Sequence, residues 1–158
     1  MCVIAMLCGC QSPMENPYFT VEESGLNWLE ISHVKKQGNL RVRVWVDGNG
    51  IVTVREGRSP LVGNDFATDV KDPKWADLRE YRLNIPRENV VPIFQMLVDH
   101  GLFEKQDKDA KGSEDELVMA RANIQHKTIS SAISDPELAE YLKNVVMMFY
   151  HPSPVRKR

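Results

Sequence analysis

The residues with the clearest potential for chemistry lie at the start of the chain. Its only cysteines are Cys2, Cys8 and Cys10. Three thiolates could bind zinc or copper, but zinc sites usually use paired Cys-x-x-Cys spacing, and no histidine lies nearby. Buried thiols and a processing signal are the alternatives. Because no cysteine follows residue 10, the rest of the chain has no disulfide framework and depends on its core for stability.

Carboxylates and imidazoles are the next candidates. Asp65, Asp69 and Asp72 are spaced so that they could converge as a general acid and base, or as calcium ligands. They lie in a polar stretch beside Lys71 and Lys74, where a solvated surface explains them equally well. The four histidines each have a structural or solvated explanation: His33, His100, His126 and His151. We therefore predict no catalytic residue and keep the three aspartates as candidate loop carboxylates.

A third candidate is one face of a predicted strand. Residues 40–46, Leu-Arg-Val-Arg-Val-Trp-Val, alternate with the period of a β-strand that has one buried face. Arg41, Arg43 and Trp45 should therefore project together from the other face. Guanidinium groups beside an indole can recognise a carboxylate, a sugar or a peptide. Alternatively, Trp45 packs under a loop and the arginines pair with carboxylates such as Glu30.

Composition narrows the classes of function. The 158 residues are 42% hydrophobic and 27% charged, which predicts one globular domain with a proper core. The formal net charge of −2 gives no electrostatic case for a nucleic-acid partner. No apolar stretch approaches the roughly 20 residues that span a bilayer. Zinc-protease, nucleophile-elbow and phosphate-loop motifs are absent from the sequence, and we expect no metal and no cofactor.

The first residues are typical of an export signal. Residues 2–9 are apolar or small and uncharged, like the apolar region of a signal peptide. Leu7-Cys8-Gly9-Cys10 resembles the lipobox of bacterial lipoproteins. The resemblance implies cleavage before Cys10 and attachment of a lipid to its thiol, which would hold the protein on a membrane of the cell envelope, at the outer membrane or the periplasmic face. The usual basic residue is missing from the start. Either the signal peptide, residues 1–9, is truncated, as we expect, or the segment is no signal.

The rest of the sequence predicts a β-rich domain after a polar tether at residues 10–25. Asp47-Gly48-Asn49-Gly50 should close a hairpin, because Gly and Asn tolerate a positive φ. This string also resembles the start of a calcium loop, but the later ligands are missing. Residues 56–80 are predicted to be irregular. The predicted strands are 28–34, 40–46, 51–55, 81–85, 117–124 and 127–132, and the predicted helices run from about 89 to 100 and, after a Ser134 cap, from about 136 to 149.

This order, β-β-β-(β)-α-β-β-α, predicts an α+β fold: an antiparallel sheet built from β-hairpins with two helices packed on one face. We expect one such domain at residues 26–151 and a basic tail at 152–158. The order resembles a group of secreted bacterial domains of unknown function. The matching stretches are Val46–Gly50, Ile85–Val90, Gly101–Phe103 and Asp135–Leu138. The resemblance covers about residues 27–150 and implies a fold, but no activity, substrate or cofactor.

Two functions remain open from the sequence. The first is a lipid-anchored envelope domain that binds a protein or a cell-wall polymer without catalysis. Arg41, Arg43 and Trp45 would form its binding face. The alternative is an envelope hydrolase that uses the carboxylates of the 56–80 loop.

Overall fold

Six strands form one antiparallel sheet, and their order across it is β4-β3-β2-β1-β5-β6. The computed structural model describes residues 19–58, 76–105 and 115–152. With two helices, the described chain is a mixed α+β protein, which confirms the predicted fold class. The elements are β1 (Trp28–Lys35), β2 (Leu40–Asp47), β3 (Ile51–Arg58), β4 (Ala76–Asn84), α1 (Val90–Asp99), β5 (Glu116–Ile124), β6 (Lys127–Ala132) and α2 (Pro136–Phe149).

Strand alternation divides the side chains of the sheet into two sets. Successive residues of a strand point to opposite faces, so a buried apolar residue alternates with a neighbour on the other face. In β2 the buried apolar set is Val42, Val44 and Val46. These valines belong to one core cluster with buried residues of both helices, including Phe94 and Leu97 of α1 and Leu138, Leu142, Val145 and Val146 of α2.

The start of each helix follows from local chemistry. A 3-10 turn, Arg87–Asn89, precedes α1, and Asn89 at its N-cap makes no side-chain capping bond. At α2 the predicted Ser134 cap is wrong, because Asp135 takes that role and accepts a 2.8 Å hydrogen bond from the backbone N–H of Leu138. Pro136 occupies the first helical position, where its missing N–H costs nothing, so the residue before it is the cap.

β4 is longer than the sequence predicts. It begins at Ala76, inside the stretch expected to be irregular, and pairs with β3. Two ion pairs link the side chains of the paired strands: Arg55 Nε lies 2.6 Å from Glu80, and Arg79 Nη2 lies 2.7 Å from Glu56. Since charged partners replace the apolar alternation, hydrophobic periodicity could not reveal this part of the strand.

The described segment before β1 packs on the domain. The sequence predicts residues 19–25 as part of the tether, yet Val21 is only 4% exposed and belongs to the core. Its N–H donates a 2.6 Å hydrogen bond to Gln95 Oε1, and Gln95 Nε2 donates to the carbonyl of Phe19 at 3.2 Å. The domain therefore includes residues from Phe19 onward.

Neither α1 nor α2 has the length and apolar character that a membrane crossing requires.

The turn between β2 and β3 is built as a hairpin. Asp47 Oδ1 accepts hydrogen bonds from the N–H groups of Asn49 and Ile51, both at 2.9 Å. Gly50 has a φ of +87°, and a Cβ at this position would lie 2.1 Å from the carbonyl oxygen of Ile85. The turn thus needs glycine for both its conformation and its close approach to the chain that follows β4.

Substitutions at Gly38 and Gly50 distinguish the effect of a positive φ from the effect of close approach to another part of the backbone. Gly38 has a φ of +79°, but apart from its two chain neighbours no described residue has an atom within 4 Å of the point that a Cβ would occupy there. We expect Gly38→Ala to lower the free energy of unfolding by about 1 kcal/mol, the cost of a left-handed conformation for an L-residue. Gly50→Ala should lower it by at least about 2 kcal/mol more, because backbone must move to relieve the overlap. Urea unfolding followed by circular dichroism measures both, and equal losses would contradict the close approach.

Candidate binding site

A concave site lies on the surface of the sheet. Its volume is about 290 Å³, and its lining side chains come from four adjacent strands, β1 to β4. We call this site the arginine pocket. Its lining residues are Glu30, Arg43, Trp45, Thr53, Arg55 and Arg82.

Strand register positions these side chains. Trp45 pairs with Glu30 on β1 and with Thr53 on β3, and Thr53 pairs in turn with Arg82 on β4. Arg43, two residues before Trp45, pairs directly with Arg55. Residues directly opposite each other in an antiparallel sheet share one face. The pocket is therefore on the face opposite to the core residues of β2 and β3.

The structure brings together two of the three residues predicted from β2. Arg43 and Trp45 line the pocket, whereas Arg41 does not. Arg41 is only 1% exposed and pairs with Val34 and Gly57, further along the same face. Burial lowers the pKa of Arg41 to about 10, with a further contribution from Arg43. Arg41 is thus a buried part of the sheet, outside the pocket.

Sequence reasoning missed Thr53, Arg55 and Arg82 as site residues. The first two could have been found, because a hairpin turn at Asp47–Gly50 places β3 beside β2 in a fixed register. Arg82 could not be assigned to the pocket in this way, since no tight hairpin sets the register of β4.

Positive charges crowd the floor of the pocket. Arg43 is 5% exposed, and its Nε donates a 3.3 Å hydrogen bond to Ser32 Oγ. Burial is the main cause that lowers the pKa of Arg43. Glu30 opposes this effect, while Arg55 and Arg121 add to it. Like charges directly opposite on neighbouring strands destabilise a sheet, so the Arg43–Arg55 pair contributes an unfavourable electrostatic energy, which Glu30 and Glu80 oppose.

Both carboxylates, Glu30 and Glu80, already pair with arginines. Arg55 pairs with Glu80, and Arg121 Nη1 lies 3.4 Å from Glu30 Oε1. Arg82, by contrast, is exposed and has no hydrogen-bond or ion-pair partner in the described part of the chain. The lining itself has three guanidinium groups against one carboxylate, which leaves two net positive charges. The chemistry of the site thus favours an anionic ligand.

A second hollow, of about 660 Å³, lies where the segment before β1 meets the β5–β6 turn. Glu22, Glu23, the 77% exposed Leu26 and His126 are among its lining residues. Its buried polar residue, Asn27, already bonds the carbonyl of Glu22 and the N–H of Gln125. Its described lining includes no arginine or lysine, unlike that of the arginine pocket.

One titratable cluster away from the pocket ties α2 to the sheet. The Tyr150 hydroxyl donates a short hydrogen bond to Glu56, which also pairs with Arg79. The Tyr81 hydroxyl donates to the carbonyl of Phe149 at 2.9 Å. Burial, followed by the hydrogen bond to Glu56, raises the pKa of Tyr150 to about 12. These contacts fix the end of α2 against β3 and β4, which is a structural role.

A second cluster has a similar role near the middle of α2. Glu116 accepts from Lys143 at 2.8 Å and lies 2.8 Å from His33 Nε2. The hydrogen bond from Lys143, and then that from His33, lowers the pKa of Glu116. His100 stacks on Tyr141 with ring centroids 3.5 Å apart.

The remaining predicted site residues fall elsewhere. Asp65, Asp69 and Asp72 lie outside the described residues, as do the three cysteines. Within the described ranges, no three His, Cys, Asp or Glu side chains group as metal ligands. A comparison with protein-family models finds no match for this chain, and a comparison with curated proteins finds none either. The function must therefore be inferred from the geometry of the pocket.

The Tyr150 cluster gives a test of its own. A phenol whose pKa is raised by folding stabilises the protein fully below its ordinary pKa of 10, and this contribution is lost as the pH rises through about 12. Tyr150→Phe should lower the free energy of unfolding at pH 8 by about 1 kcal/mol, because Glu56 loses a donor. It should also remove a phenol that ionises near pH 12 from an ultraviolet titration. Tyr141→Phe is the control, and an unchanged titration in Tyr150→Phe would refute the assignment.

Proposed function

We propose that this protein is a lipid-anchored domain of the bacterial cell envelope that binds an anionic partner in the arginine pocket without catalysis. The observation that supports this most strongly is the pocket's composition. Three guanidinium groups and an indole surround one carboxylate, and Arg82 has no partner among the described residues. An exposed, unpaired guanidinium beside a buried one is suited to recognition of a negatively charged group.

The proposal also includes an arrangement of the fold. In this arrangement, the elements follow the order β-β-β-β-α-β-β-α, and both helices cover one face of the sheet. The other face is then available to a partner. Support comes from the core cluster, which contains buried residues of both helices together with Val44 and Val54. The pocket residues Arg43, Trp45 and Arg55 alternate with these valines along β2 and β3.

The anchor rests on the sequence. Leu7-Cys8-Gly9-Cys10 resembles a lipobox, and the apolar residues before it resemble a signal peptide. Acylation of Cys10 would hold the domain at a membrane surface through the polar residues that follow. A partner in the envelope, a protein or a cell-wall polymer, would then be within reach. The alternative is a hydrolase that uses Asp65, Asp69 and Asp72, and no structural observation supports it, because these three residues lie outside the described ranges.

Metabolic labelling tests the anchor. When the chain, with any upstream residues of its gene, is expressed in a bacterium fed labelled palmitate, the protein should become labelled, and Cys10→Ser should abolish the label. Cys8→Ser is the matched control and should leave labelling intact. Label retained in Cys10→Ser would exclude the lipobox as the anchor.

Variant-dependent capture tests the binding function. The immobilised wild-type domain should retain a component of an envelope extract, and retention should fall as salt is raised because the contact is between charges. Arg82→Ala should lose this component, since it removes the unpaired guanidinium from the pocket. Arg58→Ala makes the same change of charge on an exposed residue outside the lining and should retain it. Equal retention by both variants would show that the pocket is not the binding site.

A further inference from the structure

We infer that the arginine pocket binds a sugar acid: one pyranose ring with a single carboxylate, as a free ligand or as a unit of an acidic polysaccharide. This inference rests on the proposed binding function and specifies its ligand. It follows from the size of the pocket, the arrangement of its cations and the other polar groups in its lining.

Size limits the ligand to about one ring. The pocket has a volume of about 290 Å³, at the lower end of the roughly 300–1,000 Å³ of small-molecule sites. It is open to solvent on the sheet surface, so a unit in the pocket could continue into a longer polymer. A peptide helix or a second folded domain needs a larger apolar groove than the described lining of this pocket provides.

The cations favour a carboxylate. Arg43 and Arg55 face each other across β2 and β3, and Arg82 lies one strand further, beside Thr53. A planar guanidinium can bind both oxygens of a carboxylate, and such bonds are about twice as strong as neutral ones. A bound anion would also relieve the repulsion between Arg43 and Arg55. The pocket is therefore more stable occupied by one negative group than empty.

The remaining lining groups favour a ring with hydroxyl groups. Glu30 accepts from Arg121 but has further lone pairs, and the Thr53 hydroxyl can both donate and accept. Glu30 also repels a second negative charge, which disfavours a phosphate dianion. The Trp45 indole adds a flat apolar surface beside these groups. Donors, an acceptor and a flat surface together match a polyhydroxylated ring with a single charge.

Isothermal titration calorimetry with the purified domain tests the ligand. D-Glucuronate should bind at least tenfold more tightly than D-glucose, inorganic phosphate or N-acetylglycine. Glucose lacks the charge, phosphate lacks both the ring and the single charge, and N-acetylglycine lacks the hydroxylated ring. The sugar-acid inference would be overturned if phosphate, N-acetylglycine or glucose bound as tightly as glucuronate.

Three variants locate the site. Arg82→Ala should weaken glucuronate binding about tenfold, as expected for a lost charged hydrogen bond. Arg82→Lys should weaken it less, since the charge remains. Glu80→Gln should strengthen binding, because it releases Arg55 from its 2.6 Å partner. The control Arg58→Ala should bind like the wild type; a loss there equal to that in Arg82→Ala would overturn the assignment to this pocket.

The outcomes also separate this inference from the proposed function. If glucuronate does not bind, but envelope capture still depends on Arg82, the ligand class is wrong and the binding function of the pocket stands. If neither glucuronate binding nor capture depends on Arg82, both are wrong.

Discussion

The burial of alternate valines of β2 and β3 is the constraint on which the rest of the structure depends. Val44 and Val54 are fully buried in a core that they share with residues of both helices. Because side chains alternate along a strand, this burial fixes Arg43 and Arg55 on the opposite face. A shift of one residue in register would move guanidinium groups into the apolar core, which is prohibitively unfavourable. Core packing and pocket geometry are therefore set by the same register.

On the opposite face, several arginines lie close together, and Glu30 and Glu80 are the carboxylates among the described residues that oppose their charge. Glu80 pairs with Arg55. Glu30 pairs with Arg121 and also raises the pKa of Arg43. A sheet selected for stability alone would not place two arginines directly opposite each other on neighbouring strands. Departures of this kind from local rules are expected where a protein binds a ligand. The crowding is therefore consistent with a site that a bound anion completes.

The sequence predicted some parts of this arrangement and not others, for physical reasons. Regular alternation in residues 40–46 predicted β2 and the shared face of Arg43 and Trp45. The same pattern could not show that Arg41 is buried, because burial on that face depends on neighbours distant in the chain. Residues 81–85 were predicted as a strand, but Arg82 was not assigned to the pocket because no tight hairpin sets the register of β4 against β3. At α2, the cap is Asp135 because Pro136 occupies the first helical position.

The most direct test of the central claim is to determine which residues of the protein a sugar acid contacts. ¹H–¹⁵N NMR spectra of the domain, recorded as D-glucuronate is added, report on each backbone amide and on the Trp45 indole N–H. We predict that the shift changes cluster at Arg43, Trp45, Thr53 and Arg82, with the amides of α1 and α2 unchanged. Changes confined to the helices, or no changes at saturating glucuronate, would contradict the account.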